Sequence, residues 1–377
     1  MLEVFRKFNR DYPNNLAAWK QEQPGRRVFG WLCTYIPEEI IHAAGILPVR
    51  ITGYSREEQL DDGTAYLTAN TCSFSRSCLQ FAFDGGYDFL DGIVGGSTCD
   101  GARRLFDQWV MYRETPFFHM LTVPRKSDEG AQALYRDQVT GLKQRLEEYV
   151  GTAIPDERLL DSIEVYNESR ALLRRFYELR RQQAPPVTGA EAMEVLNASF
   201  RMPKELFNES LRNLLDELQG SEERLQGRDR VMLSGSVMTS PEFVRSIEEA
   251  GALVVTDELC TGTRYWSDPV VMDSAMSPLE AVSRRYLNNF PCARMTPAED
   301  RFQRILKLAA DYNVEGVISE IVRYCVPYAH DLPLLKDRLN AAGIPLLALD
   351  LEYGSAGSGQ VRTRVQAFIE MLEAKRR

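Results

Sequence analysis

Asp88-Phe-Leu-Asp-Gly-Ile-Val94, followed at once by Gly95-Gly-Ser-Thr-Cys99-Asp-Gly101, is the stretch whose reading decides the fold. Its first half is the short apolar run of a buried strand, and its second half is a glycine-rich turn. Leu105 and Trp109 then recur one helical turn apart, so a helix follows. Toward the N-terminus, Pro37-Glu-Glu-Ile-Ile-His-Ala-Ala-Gly45 reads as a helix opened by proline and closed by glycine, leading into the strand-like Leu47–Thr52. Toward the C-terminus, Phe117–Val123 is a further strand. Strands alternating with helices at this spacing predict a parallel sheet.

The same alternation returns late in the chain. Arg230–Leu233 reads as a strand, Ser234-Gly-Ser236 as a turn, Pro241–Ala250 as a helix ended by Gly251, and Ala252–Thr256 as a strand. Gly316–Ile321 and Pro345–Leu351 read as strands around a helix over Leu332–Ala342, and Gln360–Ala374 as a terminal helix. Between the two runs, Leu159, Ile163, Tyr166 and Leu172, then Leu206, Leu211, Leu214, Leu215 and Leu218, recur near helical spacing across a Pro185-Pro186 break. The expected fold class is therefore α/β: two Rossmann-like or flavodoxin-like lobes with parallel sheets, joined by a helical segment. The expected boundaries are 1–150 for an N-terminal α/β domain, 151–227 for the helical connection and 228–377 for a C-terminal α/β domain.

With 377 residues, 44 % hydrophobic and 26 % charged, the composition is that of a globular protein of two ordinary domains. The net charge of -9 comes without any basic block, which argues against a nucleic-acid partner. No apolar run reaches membrane-spanning length and the N-terminus has no signal-peptide core, so the expected location is the cytoplasm. Gly95–Gly101 is neither a dinucleotide fingerprint nor a P-loop.

Seven cysteines against three histidines is an unusual balance. In a reducing compartment the thiols are either small buried hydrophobes or metal ligands, and a thiolate-rich, imidazole-poor set suits iron–sulfur or zinc. No CxxC pair is present, which argues against a zinc ribbon. In open α/β sheets, ligands bind beyond the carboxyl ends of the strands. Cys99, Cys260 and Cys325 each follow a strand, and Cys72 precedes a helix, where free amides favour a thiolate.

Asn70-Thr-Cys72-Ser-Phe-Ser-Arg-Ser77, Ser97-Thr-Cys99-Asp100, Arg323-Tyr-Cys325, Tyr35-Ile-Pro37 with His42-Ala-Ala-Gly45, and Gln360-Val-Arg-Thr-Arg364 occur in an order that resembles the 2-hydroxyacyl-CoA dehydratase and benzoyl-CoA reductase family. The resemblance implies an oxygen-labile enzyme with a 4Fe–4S cluster on Cys72, Cys99 and Cys325. It also implies a separate ATP-hydrolysing iron–sulfur activator that supplies electrons of very low potential. Within the family, double-cubane cluster proteins need six cysteines, and Cys33, Cys72, Cys99, Cys260, Cys292 and Cys325 resemble that pattern. On this resemblance the chain is an ATP-dependent reductase of a small molecule, acting as a homodimer, or as a heterodimer with a related subunit. The alternatives are a single-cluster subunit of an acyl-CoA dehydratase or benzoyl-CoA reductase, a non-catalytic iron–sulfur carrier, and a zinc-stabilised scaffold. Cys78 matches neither cysteine set and reads as a packed helix residue.

Other candidates carry less. Asp257 and Glu258 are adjacent on a strand and point to opposite faces, which suits an acid/base pair poorly. Ser234-Gly-Ser236 lacks the frame of a nucleophile turn. His42 reads as a hydrogen-bonded core histidine, and His119 and His330 carry no motif. Tyr324, Tyr328, Arg264 and Glu320 lie close in sequence to the cysteines and are candidates to line a pocket.

Overall fold

Two four-stranded sheets, every pairing parallel, form the frame of the protein in a computed structural model that describes residues 2–54, 59–220, 225, 228–355 and 359–376. The first sheet holds β1 (Arg27–Trp31), β2 (Ile46–Arg50), β3 (Gly92–Gly96) and β4 (Phe117–Leu121) in the order β2-β1-β3-β4. The second holds β5 (Asp229–Gly235), β6 (Ala252–Asp257), β7 (Gly316–Val322) and β8 (Leu346–Leu351) in the order β6-β5-β7-β8. Both orders are flavodoxin-like, and in each the strand order reverses between the first and third strands. That reversal opens a crevice at the carboxyl ends, where such sheets take their ligands.

Helices flank the sheets, so the inner strands are buried on both faces and their sequences are near-continuously apolar instead of alternating. Every residue of β2, β3, β5, β6 and β7 is buried. Three helices, Asp156–Arg181, Gly189–Ser199 and Lys204–Gly220, occupy the middle of the chain. The second opens on a capping box in which the Thr188 side chain and Glu191 satisfy each other's amides. One hydrophobic cluster runs through both sheets, from Trp31 and Phe200 to Met232 and Val255, and Trp31 stacks on Tyr265 at 6.2 Å. A buried ion pair of Glu39 with Arg170, completed by the Tyr286 hydroxyl, ties the early helix Glu38–Ala43 to the helical segment.

Several local readings need correction. Ser234 and Gly235 end β5 and do not form a turn, because Ser234 pairs with Ser319 of β7. The third strand begins only at Gly92, after a turn in which Asp91 takes the Val28 amide. The helix after β7 begins at Val326, six residues before Leu332; Pro327 sits in its first turn, where no amide is lost, and Pro333 is accommodated inside it. Strand β1 has no counterpart among the expected elements, because Gly30 interrupts Arg-Val-Phe-Gly-Trp. The glycine is demanded by packing: a Cβ there would run into the Ile51 side chain and lie 2.9 Å from Leu90. The expected boundary at residue 227 lies outside the described residues. Among the described residues no helix is long and apolar enough to cross a membrane.

Candidate functional site

Between the carboxyl ends of the two sheets lies a cavity of about 110 Å³, and six of the seven cysteines line it: Cys33, Cys72, Cys99, Cys260, Cys292 and Cys325. The seventh, Cys78, is fully buried inside the helix Ser73–Phe83, as a packing residue should be. Both halves of the fold contribute. Cys33 follows β1, Cys99 follows β3, Cys260 follows β6 and Cys325 follows β7. Cys99 and Cys325 occupy equivalent places, each after the third strand of its sheet.

Cys72, Cys99 and Cys325 are each the N-cap of a helix, namely Ser73–Phe83, Asp100–Tyr112 and Val326–Ala341. N-caps are ordinarily Ser, Thr, Asp or Asn. Three cysteines at that position, all on one cavity, aim three sets of free amides and three positive dipole ends at the same space. Cys99 Sγ accepts from the Ala102 amide at 3.4 Å. Gly101 allows two of these N-termini to approach, since a Cβ there would lie 2.8 Å from Ser75 Oγ and 3.1 Å from Cys72 Cβ.

The other three cysteines are placed by loops. Cys33 holds a left-handed backbone (φ 87), a conformation that costs a non-glycine residue about 1–2 kcal/mol and turns the chain sharply after β1. Tyr324 is also left-handed (φ 66), just before Cys325. Asp257 clamps the Cys260 loop: its Oδ1 accepts from the Leu259 and Thr263 amides at 3.1 and 2.8 Å, and its Oδ2 takes the Tyr177 hydroxyl. The Cys292 amide donates to Tyr35 Oη at 3.3 Å, which fastens that loop to the first sheet's side of the cavity.

Burial dominates at Cys33 and Cys99, and the Cys72 thiol at Cys325. From sequence, Cys99 sits where a helix dipole should lower its pKa; burial instead pushes it up to about 12, with the Ala102 amide only partly opposing. The neighbouring Cys72 thiol, and then burial, push Cys325 well above its ordinary value. Burial also raises Cys33. Thiols so placed stay protonated unless a cation replaces the proton. Among the described residues no histidine lines the cavity, and no three His, Cys, Asp or Glu side chains form a group that could hold a single metal ion. The sulfurs therefore ring a space and do not converge on a point.

Behind the wall lies a buried ionic network. Arg301 donates to Glu258 Oε1 at 2.7 Å and to Asp331, while Ser234 Oγ donates to Glu258 Oε2 at 2.9 Å. Arg264 approaches Glu258 at 3.8 Å, and the Tyr328 ring packs under both guanidiniums. Asp257 and Glu258 thus point apart and serve as clamps, and Ser234 supports Glu258. Arg264 and Tyr328 line the cavity; Tyr324 is about half exposed, and neither it nor Glu320 is among the lining residues. His42 bonds Ser162 and Glu205, His119 lies on β4, and His330 is exposed. Arg50 and Arg294 also line the cavity, and sequence reasoning names neither: Arg50 adjoins no motif, and Arg294 stands two residues after Cys292 without a pattern of its own.

Glu320 has its own signature. Its Oε2 is buried without a hydrogen bond, and burial pushes its pKa up to about 8. Below about pH 4.5 the group is neutral folded and unfolded; between there and about 8 only the unfolded chain ionises. Stability should therefore fall as pH rises through that window, by at most about 1.4 kcal/mol per unit. Urea midpoints at pH 5 and pH 8 should converge in Glu320→Gln relative to the wild type; parallel profiles would remove the assignment.

Residues 33–372 match the family described as 2-hydroxyglutaryl-CoA dehydratase, D-component. The chain is 28 % identical to the (R)-phenyllactyl-CoA dehydratase beta subunit of Clostridium sporogenes, over 96 % of each chain. It is 27 % identical to a subunit of the benzoyl-CoA reductase of Thauera aromatica, over 94 % of this chain and 93 % of that one. To the (R)-2-hydroxyglutaryl-CoA dehydratase beta subunit of Acidaminococcus fermentans it is 26 % identical, over 99 % of each.

Proposed function

Because this chain belongs to the 2-hydroxyglutaryl-CoA dehydratase D-component family, we propose that it is an iron–sulfur reductase component that receives low-potential electrons from an ATP-hydrolysing activator and reduces a small molecule at a double-cubane cluster. The observation that carries this reading is the ring of six cysteines on one cavity, with no imidazole among them. Cys72, Cys99 and Cys325 would hold one cubane and Cys33, Cys260 and Cys292 the other. The donor set suits iron–sulfur ligation: all sulfur, spread around a space, with three helix N-termini facing an anionic group.

When bound, such a cluster supplies electron transfer and a Lewis-acidic iron beside the substrate. The chain's own residues do the rest. Leu32, Phe74, Val237 and Val322 give the cavity an apolar wall that excludes water. Arg50 fixes Cys260, donating from Nη1 to its carbonyl at 2.6 Å and from Nη2 to its sulfur at 3.0 Å. Tyr328 Oη and Arg264 Nη1 are buried donors without an acceptor, on side chains that line the cavity. They are suited to hold negative charge developing on a substrate. The chain's sequence offers no P-loop, so ATP coupling comes from the activator.

The second reading is a single-cubane subunit acting on an acyl-CoA thioester. It is favoured by relatives named as subunits of (R)-phenyllactyl-CoA dehydratase and benzoyl-CoA reductase, names that also suggest a subunit partner for this chain, identical or related. Iron and acid-labile sulfide per anaerobically purified chain separate the two: about eight irons are expected for the double cubane and about four for the single. The cluster should stay oxidised with mild reductants and become reduced, with turnover, once activator and ATP are added. Full reduction and turnover by a mild donor without ATP would reject the activator, and reduction without any turnover would favour a carrier. A colourless, zinc-loaded chain would sink both cluster readings.

A further inference from the structure

Three guanidiniums line the same cavity as the six cysteines: Arg50, Arg264 and Arg294. Arg50 is 2 % exposed, with its guanidinium 5.1 Å from the ring centres of both Trp31 and Phe200. Its hydrogen bonds end on the carbonyl and sulfur of Cys260. Arg294 packs on Tyr35 and donates to the carbonyls of Thr98, Val123 and Pro124 at 2.6, 2.8 and 2.8 Å, with a longer contact to Met295 sulfur. Among the described residues, neither Arg50 nor Arg294 forms an ion pair with a carboxylate. Arg264 is 2 % exposed and has one distant carboxylate, Glu258, whose shorter bond goes to Arg301. Its Nε and Nη1 make no hydrogen bond.

A buried cation without a counter-charge is strongly disfavoured, and carbonyl dipoles alone do not offset it. Arg50 is such a cation, and the half-buried Arg294 and the only partly neutralised Arg264 line the same cavity, so the three together favour negative charge inside it. Among the described residues no carboxylate of the cavity lining provides it. Thiolates bound to an iron–sulfur group do, and the group becomes more negative by one charge on reduction.

We propose that Arg50, Arg264 and Arg294 are positioning residues that neutralise the cluster's charge and set its reduction potential, an inference that rests on the cluster reading above. A nearby cation stabilises the reduced form more than the oxidised one, because the reduced form carries the extra negative charge. Removing one guanidinium should therefore make the cluster harder to reduce while its ligands remain.

The test uses the anaerobically purified wild type with Gln and Lys variants at each position. Iron per chain and a potential titration followed by paramagnetic resonance are the two readouts. In Arg50→Gln, Arg264→Gln and Arg294→Gln, the ratio of reduced to oxidised cluster at fixed potential should fall about tenfold, equivalent to about 59 mV for one electron. The Lys variants keep the charge while losing the planar fork, and should stay close to the wild type. If Gln removes iron but Lys retains both iron and potential, charge is still the requirement, which supports the proposal. Full iron with an unchanged potential in the Gln variants overturns it and leaves the cluster reading standing. Loss of iron in Gln and Lys variants alike overturns it too, since shape would then be the requirement. A wild type without iron rejects the cluster reading and this proposal together.

Discussion

Serine in place of Cys72, Cys99 or Cys325 should strip most of the iron from the purified chain, and with it the visible absorbance of the cluster. Each of the three is the N-cap of a helix whose first amides face the cavity. Serine suits that position, because it is a preferred N-cap residue, and at Cys99 its hydroxyl can take over the Ala102 amide. The fold should therefore survive, and the measurement isolates the loss of the metal–sulfur bond. A hydroxyl in this buried setting does not readily become the anionic donor that iron requires. Cys78→Ser is the internal control. Cys78 lies in the hydrophobic packing of the first half and is not among the residues that line the cavity. Its replacement should cost about 1–3 kcal/mol of stability from burying a hydroxyl, with iron per chain unchanged. A Cys99→Ser protein that retains full iron and colour would dismiss the proposed site.

The parallel α/β frame and the placement of three cavity cysteines were legible from sequence for a definite reason. A parallel strand buried on both faces writes itself as an apolar run, and the residues after it fall at the carboxyl edge, where ligands bind. Cys99, Cys260 and Cys325 could be placed by that rule alone. Arg50 and Arg294 could not. Arg50 ends β2, and its role depends on Cys260, which is 210 residues away in the chain. Arg294 matters because it reaches across to Val123 and Pro124. Pairings of that range follow from how the two sheets face each other, which local patterns do not encode. The same holds for Cys99's acidity. The sequence reveals the helix terminus that lowers a thiol pKa, but the burial that outweighs it arises only from tertiary packing.

Cys33, Cys260 and Cys292 decide between one cubane and two. Substituting any one of them with alanine should lower iron by about half, or destabilise the whole assembly, because bridged cubanes share a sulfide. The structure gives two reasons to expect ligation over packing. Cys33 sits in a left-handed backbone that a purely space-filling residue has no need to adopt. Cys260 receives an N–H from Arg50 at 3.0 Å, so a guanidinium stands directly against its sulfur. If the three are merely small apolar groups, alanine should cost at most a few kcal/mol and leave iron whole. Thermal melts run beside the iron assay distinguish these cases, since a packing defect lowers the midpoint without changing stoichiometry. Should all three variants keep their full iron at about four per chain, the second cubane falls. Cys72, Cys99 and Cys325 would then hold a single cluster, and the chain would be read as a subunit acting on an acyl-CoA thioester.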